Sequence, residues 1–195
     1  MIPSFYLAST SPRRKDLLSR LKIPFVVVAP PFEETPTSLP PRDECLLFAE
    51  GKAKSAGEVL RKTVGEGWVL AADTLISCEG EILGKPRDAE DAFRILKRLA
   101  GRTHEVHTAV ALLDLKTQRI RRHDVETARV TFRPMSEGEI RAYVDTGEPL
   151  GKAGAYAVQG AARRLFIENI EGDEEAVIGL PVALVAKWLK EVGLI

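Results

Sequence analysis

The sequence has little cysteine, no net charge and no long apolar run. Its two cysteines, Cys45 and Cys78, are too few to staple a secreted fold and lack the paired spacing of a zinc site, so we interpret both as small core residues. Lys plus Arg number 28, as do Asp plus Glu. This balance leaves no basic field that would hold nucleic acid or an acidic membrane regardless of sequence. An anionic ligand must therefore be bound by a local cluster of donors.

Aromatic residues and membrane-type segments are also scarce. Aromatic side chains make up 6% of the residues, which leaves few surfaces for stacking nucleic-acid bases. No stretch approaches the roughly 20 apolar residues that cross a bilayer, and the first residues, MIPSFYLAST, lack the pattern of a targeting signal. We expect a cytoplasmic protein that binds neither membrane nor nucleic acid. The hydrophobic content of 45% suffices for one core and predicts a single domain over residues 1–195.

Short apolar segments that favour strands alternate with segments of helical spacing, which is typical of α/β proteins. Two longer strand-like runs flank a turn at residues 116–118, so part of the sheet should be antiparallel. A capping box formed by Ser136 and Glu139 marks one helix start. The expected strands are residues 5–8, 25–28, 68–72, 105–115 and 119–132, and the expected helices are residues 12–21, 43–61, 88–99, 136–147 and a last one from residue 181.

The segment STSPRR joins the first strand to the first helix. Ser11 is placed to cap this helix, and Pro12 suits its first position. Arg13 and Arg14 follow in the first turn, where a cation opposes the helix dipole at a cost of about 0.3 to 1 kcal/mol. A phosphate would offset that cost, because backbone donors, hydroxyls such as that of Ser9 and bidentate arginines converge there. The alternative is a capped helix with a solvated basic face.

Two carboxylates follow predicted strands. Asp73 ends the apolar run WVLAA, and ligands of α/β sheets gather at the carboxyl ends of strands, although an Asp in this place can simply hold a turn. Glu34 follows the strand at residues 25–28 within a proline-rich loop, residues 30–41. Paired carboxylates suit Mg²⁺, which binds one or two of them together with phosphate oxygens. Glu33 could be the ligand in place of Glu34.

Two lysines of the second predicted helix differ in direction. At about 100° per residue, Lys52 falls roughly 40° from the edge of the apolar stripe, whereas Lys54 points to the opposite side. Lys52 could therefore reach a cleft that borders the core. The alternative is an aliphatic stem along the core margin with its ammonium group in water.

Two glycine-containing segments remain. GEILGK carries Lys85 into a turn, and it departs from a Walker A loop in its spacing and in the proline that follows. GAYAVQG, residues 154–160, would let a flat ligand approach the backbone while the Gln159 amide reads its edge; a tight strand turn is the alternative. His104 and His107 point to opposite faces of a predicted strand, which disfavours histidine catalysis.

Six blocks in this order resemble the Maf family of nucleotide pyrophosphatases over nearly the whole chain. They are LASTSPRRKDLL, FEETP, FAEGKAKSA, LAADTLI, GKPRDAEDAFRILKRLAGRTHEVHTAVAL and GKAGAYAVQGAARRLFIENIEGDEEAVIGLPV. The resemblance implies an elongated, two-lobed α/β fold with a central mixed β-sheet flanked by helices and a cleft between the lobes, similar to the inosine triphosphatases. It also implies a homodimer, because dimers are common in the family.

The resemblance further implies an enzyme that uses Mg²⁺ or Mn²⁺ to cut nucleoside triphosphates into monophosphate and pyrophosphate. Asp73 matches the proton-accepting acid and, with Glu34, would bind the metal. Lys52 and Lys85 match charged residues that line the phosphate and metal site. Arg13, Thr74 and Gln159 match positions associated with substrate choice, and Ser9 and Arg14 belong to the same substrate-binding block. The motifs SPRR, ADT and AYAVQG look like the branch that acts on dTTP and UTP. The alternatives are 7-methyl-GTP hydrolysis or a nucleotide-binding regulator of cell division with little turnover.

Overall fold

The computed structural model describes residues 5–195, in which strands and helices alternate along the chain. None of the described helices is long and apolar enough to cross a membrane. The strands are β1 Phe5–Ala8, β2 Val26–Val28, β3 Trp68–Cys78, β4 Glu81–Leu83, β5 Thr103–Asp114, β6 Arg119–Phe132 and β7 Ile167–Glu171. The helices are α1 Pro12–Ser19, α2 Pro41–Thr63, α3 Ala89–Leu99, α4 Glu137–Val144, α5 Ala162–Leu165, α6 Glu174–Ile178 and α7 Val182–Glu191, and a 3₁₀ helix covers Ala153–Ala155.

The strands form a mixed sheet with the order β2-β1-β3-β5-β6-β7, and β4 pairs with β3. Strand β1 runs parallel to both β2 and β3, whereas β4 is antiparallel to β3 and β7 is antiparallel to β6. Crossover helices such as α1 and α2 connect the parallel strands, as parallel pairing requires. The prediction of an α/β fold with a central mixed sheet flanked by helices is confirmed.

The chain divides into two compact units, and the single domain over residues 1–195 stays a prediction. The first unit contains the chain up to Asp73, together with Thr108–Glu126 and Gly179–Ile195. Its apolar core includes the inner faces of α1, α2 and α7, as their helical spacing predicts. The buried side chains on these faces are Leu17, Leu18, Ala49, Ala53, Ala56, Leu60, Val185, Trp188 and Leu189.

The second unit contains Thr74–His107 and Thr127–Ile178. Helix α3 buries Phe93, Leu96 and Leu99 in its core, which confirms the predicted apolar face. Helix α4 starts with the predicted capping box, since the Ser136 side chain accepts from the Glu139 backbone and the Glu139 carboxylate accepts from the Ser136 backbone. These local signals were sufficient because they act within one helical turn.

Two local expectations were wrong. Ser11 occupies the N-cap position of α1, but its side chain makes no capping hydrogen bond; its backbone N–H instead donates to the Ser9 hydroxyl at 3.2 Å. Strand β2 is shorter than the predicted strand at residues 25–28, and Val26 and Val27 are exposed. It lies at the edge of the sheet, where, among residues 5–195, one side has no neighbouring strand.

Candidate active site

Three of the predicted site residues meet in the first unit. The Lys52 ammonium donates to Glu34 Oε1 and to Asp73 Oδ1, each at 2.5 Å. The side chains of Lys52 and Asp73 are 11% and 6% exposed, whereas that of Glu34 is 41% exposed. Because both carboxylates bind the same ammonium, their oxygens lie close together at the margin of the core. The arrangement holds two negative charges against one positive charge.

Asp73 lies inside a strand rather than at its end. Strand β3 continues to Cys78, so the prediction that the strand ends at the carboxylate was wrong. The reason is the antiparallel partner β4, which pairs with residues 76–78 of β3. The parallel partner does end here, because the last residue of β1, Ala8, pairs with Ala71. Asp73 therefore follows the carboxyl end of the parallel pairing, where ligands of α/β sheets gather.

Helix α2 presents Lys52 to this site and turns Lys54 away. Lys52 is buried, while Lys54 is 56% exposed and pairs with Glu50 one turn earlier at 2.8 Å. The difference follows from the helical period, and the predicted direction of both lysines is confirmed. Glu34 reaches Lys52, and this contact favours it over its exposed neighbour Glu33 as the second carboxylate.

The loop that carries Glu34 is fixed to α2 by contacts that sequence reasoning missed. Glu44 is buried, and its Oε2 accepts from the backbone N–H and the hydroxyl of Thr37, both at 2.6 Å. The Phe32 ring packs over Gly51, where any β-carbon would overlap it. A possible signal was the spacing of Glu44 and Lys52, which are eight positions apart and so share one helix face.

Cys45 is another group whose surroundings the sequence did not reveal. It is fully buried, as expected for a small core residue, but its thiol also lies 3.9 Å from Asp73 Oδ2. A thiol is a weak donor. The contact nevertheless directs the thiol hydrogen of Cys45 toward the second carboxylate oxygen of Asp73.

Ser9 and Arg14 form a second group in the first unit. The Arg14 guanidinium donates to the Ser9 hydroxyl at 3.4 Å and to the Gly179 carbonyl at 2.9 Å. Burial lowers the pKa of Arg14, and the charge of Asp73 opposes this decrease. Arg13 precedes it in the first turn of α1, which contains no acidic residue of its own. The group has the donors and the charge that bind phosphate.

The remaining predicted residues belong to the second unit. Thr74 follows Asp73 in β3 and is partly buried, whereas Lys85 and Gln159 are exposed. The backbone N–H of Gly154 donates to the Gly84 carbonyl at 3.1 Å, so the segments that carry Lys85 and Gln159 are linked. The segment at residues 154–160 is no strand turn: it includes the end of a 3₁₀ helix and a turn before α5.

The two strand histidines have structural partners. His104 Nε2 bonds to the Tyr156 hydroxyl at 2.8 Å, and burial lowers the pKa of His104 to about 4. His107 bonds to Ser77 at 2.9 Å and to Thr127 at 3.0 Å. Because His104 stays neutral down to about pH 4, it is a poor proton shuttle near pH 7.

The oxygen donors of the first unit suit a magnesium-type ion. Within residues 5–195, no cluster of three or more His, Cys, Asp or Glu side chains could enclose a metal by itself. Glu34 and Asp73 provide two carboxylates, and Mg²⁺ commonly binds one or two carboxylates and takes its other ligands from substrate phosphates and water. The residues therefore fit a metal that binds together with a phosphorylated substrate.

Several known proteins are similar to this chain. A dTTP/UTP pyrophosphatase of Carboxydothermus hydrogenoformans is 43% identical over 96% of this chain and 98% of its own length. One of Thermus thermophilus is 47% identical over 94% and 91%. Among solved structures, a HAM1 protein of Coxiella burnetii has a TM-score of 0.49 and 16% identity, covering 97% of this chain and 100% of its own. The family profile described as Maf-like protein matches residues 4–192. The chain belongs to the Maf family.

Proposed function

We propose that this protein hydrolyses dTTP and UTP to the nucleoside monophosphate and pyrophosphate. The observation that carries the proposal is the pair of carboxylates, Glu34 and Asp73, held on one buried lysine. The family membership and the names of the relatives support the substrate class. A protein that merely binds triphosphates would gain little from two extra negative charges unless a metal neutralised them, so the two acids favour turnover.

The reaction asks for a water molecule to attack the α-phosphorus while pyrophosphate leaves. Glu34 and Asp73 would hold Mg²⁺ or Mn²⁺, which would stabilise negative charge on the phosphoryl oxygens. Asp73 orients the water and accepts its proton as the new oxygen–phosphorus bond forms and the bond to the β-phosphate oxygen breaks. Lys52 fixes the orientation of both carboxylates through its two short hydrogen bonds.

Cationic side chains would stabilise the charge that builds up on the phosphates. We assign this role to Arg13 and Arg14 at the start of α1, and to Lys52 and Lys85. The Ser9 hydroxyl, which already accepts from Arg14, keeps that guanidinium in place. All these groups can donate hydrogen bonds, as phosphate oxygens require.

Base selection is assigned to Gln159, with Thr74 as a second polar contact. A carboxamide offers one donor and one acceptor, and uracil and thymine present both on one edge. Cytosine reverses this edge, because its exocyclic amine replaces the O4 carbonyl and its N3 carries no proton and accepts. Gln159 is exposed and thus available to a nucleotide.

A panel of nucleoside triphosphates, incubated with the protein and Mg²⁺ or Mn²⁺, tests this function. We expect pyrophosphate rather than phosphate release, and dTTP and UTP well ahead of CTP, dATP, dGTP and 7-methyl-GTP. Binding without turnover would instead support the regulator of cell division. Preference for 7-methyl-GTP would support the other branch of the family.

The assembly and location of the protein are part of the same proposal. The resemblance to the Maf family supports a cytoplasmic homodimer. Light scattering after size-exclusion chromatography measures the mass directly, and a species of 21.4 kDa, the mass of one chain, would contradict the dimer.

A further inference from the structure

The segment that carries Gln159 has an unusual backbone. Gly154 and Ala155 have φ values of 66° and 60°, and the second is a residue with a side chain in the left-handed region. Such conformations persist when the surrounding structure fixes them. Contacts with other residues of the second unit must therefore hold the segment in this conformation.

Glu148 is the central anchor. Its Oε1 and Oε2 accept from the Ala161 backbone N–H at 3.1 and 3.2 Å, so one carboxylate joins the two ends of the stretch from 148 to 161. Oε1 also accepts from the Tyr143 hydroxyl at 3.0 Å. Hydrogen bonds to a carboxylate are stronger than those between neutral groups.

Gly160 makes room for this carboxylate. A β-carbon at position 160 would overlap the carboxylate of Glu148. The Gly160 backbone N–H also donates to the Ala157 carbonyl at 3.0 Å, which closes a turn around Gln159. The Glu148 side chain thus packs directly behind the residue that follows Gln159.

Tyr143 supports the carboxylate from the core. It is 1% exposed, and its hydroxyl donates a hydrogen bond to Glu148 Oε1 at 3.0 Å. On the other side of Gln159, Val158 is buried while Gln159 itself is exposed. The segment is therefore a fixed frame that holds one amide toward solvent.

We propose that Glu148 is a positioning residue that holds residues 157–161 and thereby sets the base preference exerted by Gln159. The inference rests on the proposed function and deepens it. Glu148 need not touch the nucleotide. Because recognition by an amide depends on the direction of its donor and acceptor, a small displacement of the segment weakens it.

The test compares Glu148→Ala, Glu148→Gln and wild type, with Glu168→Gln as a control. Glu168 is an exposed residue of β7 in the same unit, and this variant makes the same charge change. Amide hydrogen exchange reports on Ala161, and steady-state kinetics with dTTP and dGTP report on selection. In Glu148→Ala we expect faster exchange at Ala161, and a roughly tenfold rise in KM for dTTP with kcat nearly unchanged. The ratio of kcat/KM for dTTP to kcat/KM for dGTP should fall by about tenfold.

Glu148→Gln keeps an acceptor oxygen for Ala161, so its effects should lie between those of wild type and Glu148→Ala, while Glu168→Gln should match wild type. If Glu148→Ala folds and the ratio of kcat/KM for dTTP to that for dGTP is unchanged, the inference is overturned, even if amide exchange at Ala161 is faster. If Glu148→Ala does not fold, Tyr143→Phe provides the test. We expect the kcat/KM ratio of dTTP to dGTP to fall by about threefold in this variant, and an unchanged ratio overturns the inference. Absence of dTTP and UTP turnover in the wild type contradicts the proposed function itself.

Discussion

In the first unit a lysine and an aspartate are buried together as opposite charges, whereas in the second unit a histidine and a tyrosine are buried together as neutral groups. Lys52 and Asp73 form a hydrogen bond of 2.5 Å, and Glu34 adds a further carboxylate. His104 and Tyr156 form one of 2.8 Å amid aromatic rings, and burial shifts both of their pKa values toward the neutral form.

The difference teaches that burial of a polar group does not by itself indicate function. A neutral hydrogen-bonded pair costs little to bury, but a buried ion pair rarely repays the loss of hydration. A site that keeps such a pair, with a second carboxylate on the same lysine, offers two oxygen ligands to a cation. A divalent metal ion that takes its other ligands from nucleotide phosphates is such a cation.

Asp73→Asn should cause the largest loss of activity. A fully active variant would remove the functional difference between the two buried pairs. The amide keeps the shape of the carboxylate but removes its basic oxygen, so we expect turnover of dTTP to fall about 10² to 10⁴ fold. Stopped-time assays of pyrophosphate release measure the rate, and equilibrium binding should show that dTTP still binds. Equal turnover in variant and wild type would exclude Asp73 from the mechanism.

Lys52→Met and Lys54→Met form a matched pair on one helix. Both keep the aliphatic stem and remove the charge. We expect Lys52→Met to slow hydrolysis by about 10² to 10³ fold, and Lys85→Met to slow it as well, whereas Lys54→Met, which loses one exposed ion pair, should stay within about twofold. A damaging Lys54→Met with a harmless Lys52→Met would contradict the assignment of the buried site.

Gln159→Leu tests whether an exposed polar residue of the second unit selects the base. Removing the amide should lower kcat/KM for dTTP and UTP by about tenfold and narrow their lead over dATP and dGTP. Kinetics on the four nucleotides measure the ranking. If the ranking stays the same, Gln159 does not read the base, although the pyrophosphatase function would still hold.

His104→Phe should have a small effect on catalysis and a clear effect on the pH dependence of stability. The pKa of His104 falls from 6.5 to about 4 on folding, so between these values the unfolded state binds the extra proton. The free energy of unfolding therefore decreases as pH falls from about 6.5 to about 4, by up to about 1.4 kcal/mol per pH unit.

Urea denaturation across this pH range measures the slope in wild type and in His104→Phe, where it should flatten. The variant should also lose about 1 to 3 kcal/mol at pH 7, because Tyr156 loses its partner. Its kcat for dTTP at pH 7 should change by less than about threefold. A kcat reduced as strongly as in Asp73→Asn would show that the neutral pair also serves catalysis.

The sequence predicts most of what depends on local periodicity. The inner face of α2, the opposite directions of Lys52 and Lys54, and the capping box of α4 all follow from spacing within one or two turns. The places of Asp73 and Glu34 after predicted strands suggested them as paired carboxylates, with Glu33 as the alternative to Glu34. The full length of β3 was missed, because it depends on pairing with β4 across a turn.

Contacts between distant parts of the chain were beyond such reasoning. Glu44 reads as an ordinary surface acid of a helix start, yet it is buried against Thr37. Glu148 lies in a glycine-rich stretch with no periodicity, and its partner Ala161 is thirteen positions away. Helical or strand spacing carries no information about such pairs, because the tertiary fold brings them together.

The most direct test of the central claim is hydrolysis of dTTP by the wild-type protein in ¹⁸O-labelled water, with mass spectrometry of both products. In the proposed reaction the water attacks the α-phosphorus, with Asp73 as the proton acceptor. The label should therefore enter dTMP, and the pyrophosphate should stay unlabelled. Label in the pyrophosphate, or in free phosphate released from the γ position, would contradict it.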